Sequence, residues 1–233
     1  MGRHTRRGPR PRALVYRGPA TTDDCAAAAA ALLRRTRWGF DVRYVGPHES
    51  LPLDAPTLRS AALYVQPGGG DLEPAYQHLR PHTETIRSYI HDGGRYLGIC
   101  LGGYLAGATP GFDLLPGDAD RYIDLPDATV TAPHDAVVAV RWRGALRHLY
   151  FQDGPYFWLH PHHDLFDDTP AAVVARYRNG TIAALVVAHG GGRVAVIGPH
   201  PEADATWYPP GLVNPDGIRF DLGHDLIDTV MTP

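Results

Sequence analysis

Gly93-Gly-Arg-Tyr-Leu-Gly-Ile-Cys100-Leu-Gly-Gly-Tyr104 is the stretch on which the fold turns. Tyr96–Ile99 is a short apolar run that reads as a buried strand, and Leu101–Ala108 reads as a helix. Cys100 is left at the corner between them, with Gly98 and Gly102 two residues to either side. This is the G-x-nucleophile-x-G elbow with cysteine in place of serine. A sharp strand-to-helix turn strains its central residue and crowds the neighbouring chain, which is why glycines flank it. The corner presents the thiol to solvent, and the start of a helix favours thiolate. A small buried structural cysteine is the plainer reading of a thiol in an apolar run.

Ahead of the elbow, Ala13–Tyr16 reads as a strand closed by Gly18-Pro19. Thr21/Thr22-Asp23-Asp24 then offers an N-cap to an alanine-rich helix from Cys25 to Arg35. Phe40–Val45 alternates like a strand, and the apolar run Ala61–Val65 ends in Gln66-Pro-Gly-Gly-Gly-Asp71. A helix over Thr83–His91 stops at Asp92-Gly-Gly94. Alternating strands and helices predict βαβ units around a parallel sheet. From 120 to 188 the character changes. Val137–Val140, Leu149–Phe151, Ala172–Tyr177 and Ile182–Val187 are strand-like runs between turn residues, predicting an antiparallel extension of the same sheet. Arg193–Ile197 reads as the last core strand, and 217–231 as a closing helix. The predicted fold class is α/β: a three-layer sandwich with a central, mostly parallel sheet and an antiparallel extension.

At 233 residues, 44% hydrophobic and 20% charged, the chain suits one globular domain. Residues 12–233 are assigned to it, and the Arg-rich residues 1–11 are read as a disordered basic tail. That start has no apolar segment of the kind a signal peptide needs, and no stretch approaches the roughly 20 apolar residues of a membrane span. A net charge of −3 predicts no nucleic-acid surface. Two cysteines build no disulfide scaffold, so a reducing, cytoplasmic setting is expected.

Two further segments bear on chemistry. The Gly68-Gly69-Gly70 loop follows a strand beside the elbow. The backbone N–H groups of Gly69 and Gly70, with that of Leu101, are placed to bind a developing oxyanion. A plain or phosphate-binding loop is the alternative, although no Gly-Lys-Ser/Thr follows for a P-loop. His200-Pro-Glu202 stands just past the last core strand, where the imidazole can serve Cys100 as base and the carboxylate can orient it. Gly68 and Tyr104, next to these groups, are candidate substrate-binding residues. So are Tyr156 and Phe157 of Asp153-Gly-Pro-Tyr-Phe, unless that segment is only a tight turn. Cys25 reads as a small core or near-surface thiol rather than a partner of Cys100. Trp207-Tyr208 either covers the mouth of the site or packs the C-terminal segment. His160-Pro-His-His163-Asp164 has the donors for a transition metal but no matching cluster elsewhere, so no metal site is assigned.

At these residues the sequence resembles the class I glutamine amidotransferase-like superfamily. The likeness extends to the branch named for the N-terminal domain of certain biotin-protein ligases, through Tyr16-Arg-Gly-Pro-Ala-Thr, Gln66-Pro-Gly-Gly-Gly-Asp, the elbow, Asp153-Gly-Pro-Tyr-Phe and Gly198-Pro-His-Pro-Glu202. The resemblance implies a flavodoxin-like sandwich, with Cys100, His200 and Glu202 as catalytic triad and the glycine loop with Leu101 as oxyanion hole. Glutamine-hydrolysing members typically continue the elbow as Cys-x-Gly-His-Gln, whereas Gly103-Tyr104 stand here.

The expected activity is therefore that of a cysteine hydrolase or acyltransferase. It would act on an amide or ester of a small molecule or peptide, with no cofactor and with a homodimer left open. A glutaminase subunit supplying ammonia to a synthetase is one alternative. A non-catalytic ligand-binding module on the same scaffold is the other.

Overall fold

A computed structural model describes residues 10–160 and 172–232. The parallel half of the fold comprises β1 (Arg12–Tyr16), β2 (Asp41–Val45), β3 (Leu63–Gln66) and β4 (Arg95–Ile99), joined by helices α1 (Asp23–Arg34), α2 (Ala55–Arg59), α3 (Leu72–Leu79) and α4 (Thr83–His91). Helix α5 (Leu101–Leu105) follows β4 directly. The second half carries β5 (Gly117–Arg121), β6 (Ala136–Trp142), β7 (Ala145–Phe151), β8 (Pro155–Leu159), β9 (Ala172–Tyr177), β10 (Ile182–His189) and β11 (Gly192–Ile197), and ends in α6 (Asp221–Met231).

The eleven strands of the described residues form one sheet, whose main path runs β2-β1-β3-β4-β11-β10-β9-β6-β7, with β8 on β10 and β5 on β8. The first five strands of the path are mutually parallel. Their order, 2-1-3-4 and then a final strand, is the doubly wound flavodoxin-like order, which gathers functional loops at the carboxyl ends of the strands. Beyond β11 every pairing is antiparallel, so the expected fold class is borne out. Side-chain alternation sorts the core into two layers. Ala13 and Val15 of β1 face α1 and α6, in a cluster with Leu32, Leu33, Leu226 and Ile227. Leu14 and Tyr16 face the opposite side, with Leu79, Ile86 and Ile90 of α3 and α4.

The predicted helix 83–91 has the observed bounds. Four elements are not announced by the amino-acid pattern: α2, α3, β5 and β8. Helices α2 and α3 are short, and β5 (GDADR) has no apolar run; it pairs with β8 through its backbone. Residues 155–157 belong to β8, so the turn read over 153–157 is confined to its start. The helix after Cys100 is also shorter than expected, ending at Leu105.

Gln66, fully buried, couples this frame to the loops above it. It accepts a hydrogen bond from the Tyr64 hydroxyl at 2.8 Å and donates to the Ala20 carbonyl at 2.8 Å, tying β3 to the loop after β1. Gln66→Leu leaves both partners unpaired in the core, each costing about 1–3 kcal/mol. The urea unfolding midpoint of that variant is expected to fall accordingly, with the m-value unchanged.

Candidate active site

Cys100 sits at the carboxyl end of β4 with φ +50° and ψ −107°, a conformation costly for a residue with a side chain. The corner closes because the flanking positions lack side chains. A methyl on Gly98 would fall 2.2 Å from the Gly102 carbonyl oxygen, and one on Gly102 would fall 2.0 Å from that of Gln66. Backbone on backbone cannot yield, so α5 can press onto β3 only with glycine there. The Tyr96 hydroxyl fixes the turn from below, donating to the Gly102 carbonyl at 2.7 Å.

His200 and Glu202 follow β11, the strand beside β4. The His200 N–H donates to the Tyr150 carbonyl at 2.9 Å, and the ring's Nδ1 meets Glu202 Oε1 at 2.8 Å. Cys100, His200 and Glu202 are 8%, 4% and 1% exposed. Burial by itself disfavours the imidazolium, but Glu202 and then Cys100 outweigh it, and the His200 pKa is raised above the ordinary histidine value. Gly68 stands against both groups. A methyl there would fall 2.7 Å from Cε1 of His200 and 3.2 Å from Cβ of Cys100, which sets imidazole and thiol side by side. The Cys100 thiol also donates to the Gln152 carbonyl at 3.6 Å.

Gly69 and Gly70 both adopt positive φ, +88° and +91°, and with Leu101 they line a cavity of about 810 Å³ over Cys100. The Thr21 hydroxyl pins their loop by donating to the Gly68 carbonyl at 2.6 Å. Tyr104 lines the same cavity and donates to the Asp153 carbonyl at 3.1 Å. Trp207 lines it too, its ring centroid 5.1 Å from that of His200, while Tyr208 packs behind on Tyr150.

Three substrate-binding candidates fall outside this lining: Gly68, which stands against His200 and Cys100, and Tyr156 and Phe157 of β8. Phe157 is buried in the core, against Gly103, whose added methyl would meet its Cζ at 3.0 Å. Tyr156, next along β8, packs partly buried on the other layer. The adjoining turn supplies the wall instead, through Gln152 and Asp153. Asp153 is itself at φ +52° and takes a bidentate ion pair from Arg121, at 2.7 and 2.6 Å. Neither Arg121 nor Gln152 lies in a recognisable motif, whereas the segment from Asp153 is offered by the sequence as pocket wall or turn, and it is Asp153 that lines the cavity in place of the expected aromatics. Cys25 is a buried free thiol, as expected, but it lines this cavity with Cys100. Burial raises its pKa to about 11. Of the histidine cluster, residues 161–164 lie outside the described residues, as does most of the basic tail. Among the described residues no group of three potential metal donors occurs.

Residues 12–119 match the family described as "Biotin-protein ligase, N terminal". Over 162 residues the chain is 29% identical to the imidazole glycerol phosphate synthase subunit HisH of Acaryochloris marina, covering 64% of this chain and 73% of that one. Over 187 residues it is 27% identical to the biotin–protein ligase of Schizosaccharomyces pombe, covering 67% of this chain and 29% of the ligase. A solved structure of a cytoplasmic protein from Salmonella typhimurium LT2 shares the fold, with a TM-score of 0.51, 15% identity, and coverage of 88% of this chain and 86% of that one. These matches bear out the resemblance to the class I glutamine amidotransferase-like superfamily and its biotin-protein ligase N-terminal branch. The family match takes in the glycine loop and the elbow and ends before His200.

The crowding at Gly68 gives a direct test of how the imidazole is held. Gly68→Ala is expected to push the ring off Glu202, and the His200 pKa, followed by NMR of the ring protons, should fall as burial is no longer answered by the carboxylate. An unchanged titration would show that the ring is not held from this side.

Proposed function

We propose that this protein is a cysteine hydrolase of amide or ester bonds working through Cys100, His200 and Glu202. One observation carries the reading: a strained-corner thiol lies beside a buried imidazole whose far nitrogen is fixed by a carboxylate, under a cavity large enough for a substrate. Cys100 Sγ attacks the substrate carbonyl carbon while His200 takes the thiol proton. The oxyanion of the tetrahedral intermediate is held by backbone N–H groups of Gly69, Gly70 and Leu101. Collapse breaks the bond to the amine or alcohol, which leaves with the proton from His200. Water, deprotonated by the same imidazole, then attacks the thioester and releases the acid. Glu202 stabilises the imidazolium and fixes its tautomer.

A second reading is supported by the match to a synthase subunit. In it the chain hydrolyses glutamine as an amidotransferase-like subunit and works with a partner protein that uses the ammonia. Tyr104, in place of the glutamine-site residue typical of such elbows and tied to the Asp153 carbonyl, favours the first reading.

Turnover of 4-nitrophenyl esters and of an amide panel, with glutamine included, tests both. Cys100→Ala is expected to keep the fold and lose activity by about 10³-fold or more, with Glu202→Gln losing about 10²-fold or more. Turnover retained in Cys100→Ala would refute the mechanism. Ammonia release from glutamine that outpaces every other amide would move the assignment to the second reading.

A further inference from the structure

The cavity over Cys100 has a second hollow beside it. Thr22, Cys25, Gln152 and Trp207 line both, the second being of about 670 Å³, between α1 and the turn at 204–207. Sharing these four residues, the two hollows adjoin and are taken as two lobes of one trough. On its α1 side the outer lobe is walled by Ala27, Ala28 and Ala31, where any longer side chain would fill the space. Either lobe alone matches a small-molecule site, and together they exceed the roughly 300–1,000 Å³ such a site occupies.

The lining chemistry has a direction as well as a length. Asp24 and Asp204 line the outer lobe, and Asp71 and Asp120 the inner one. Among the described residues none of the four has an ion-pair partner. Arg121 is the one arginine or lysine among the residues lining the trough, and it is bound through Nε and Nη2 to Asp153. His200, the other basic group in the lining, is paired with Glu202. Although Asp204 and Asp120 accept hydrogen bonds from Thr206 and the Arg121 backbone, acids without an ion-pair partner stand in both lobes, so the trough attracts positive charge along its length. Between them the Thr22 hydroxyl and the Gln152 amide supply the hydrogen-bonding groups an extended amide backbone needs.

We propose that the substrate is an elongated cationic amide, a peptide with arginine or lysine next to the bond presented to Cys100, whose remote arm lies over the alanine face of α1. This rests on the reading of Cys100 as nucleophile and narrows it. A compact amide such as glutamine would leave the outer lobe unused.

The test compares alkylation of Cys100 in the full chain by iodoacetamide, iodoacetyl-Arg-Arg-amide and iodoacetyl-Glu-Glu-amide. Cys25 is resolved by peptide mapping, and each rate is divided by that of the same reagent on N-acetylcysteine. The arginine reagent is expected to label saturably and about tenfold or more faster than the glutamate reagent. Ala31→Trp should remove the saturation, and Asp24→Asn, at an exposed position that tolerates the change, should cut the arginine preference severalfold. Equal normalised rates for the two peptides, absence of saturation, or a preference untouched by Asp24→Asn would overturn the proposal. A saturable arginine preference at a Cys100 that iodoacetamide labels no faster than N-acetylcysteine would keep the groove and sink the catalytic reading.

Discussion

His200 and Glu202 meet at 2.8 Å in a place that water barely reaches, and a carboxylate in such surroundings is tolerable only when a cation or strong donor answers it. Glu202 has one such answer, since its Oε2 has no partner among the described residues. The structure around the pair keeps that single bond in place. β11 delivers both residues in one short segment, the Tyr150 carbonyl holds the His200 backbone, and Gly68 and Trp207 confine the ring. Removing Glu202 would leave a buried imidazole free to turn, and Cys100 would lose its oriented neighbour.

The thiol side is held by strain. Cys100 and Asp153 both occupy positive φ, an expense of about 1–3 kcal/mol each. The Gln152 carbonyl next to Asp153 receives the Cys100 thiol. A bidentate arginine and the hydroxyl of Tyr104 brace the Asp153 turn. Strain at the Cys100 corner is therefore matched by strain in the Asp153 turn facing it.

Much of this was legible in the sequence because the decisive elements are local. The run into Cys100, the helix 83–91 and the glycine loop each announce themselves within a dozen residues, and the class of fold follows from their alternation. Cys100 and His200 are a hundred residues apart, and their adjacency was readable only through the expectation that both follow neighbouring strands. The unread parts depend on contacts that leave no local trace. β5 is polar and exists as a strand because β8 pairs with it. Phe157 sits on a strand whose inward face meets Gly103 rather than the cavity. Arg121 gains its place from Asp153, 32 residues away. The share of Cys25 in the cavity of Cys100 arises from where α1 packs, which alanine content alone does not specify.

The proposed function rests on activation of Cys100 by His200. Alkylation with iodoacetamide from pH 5 to 9, mapped by peptide, in the native protein and in His200→Ala, tests it. Rapid labelling of Cys100 below pH 7 that slows markedly without His200 is expected. Cys25, whose pKa burial raises to about 11, should lag throughout. Labelling of Cys100 that rises only near the value of about 8.5 of a free thiol, and is indifferent to His200, would contradict it.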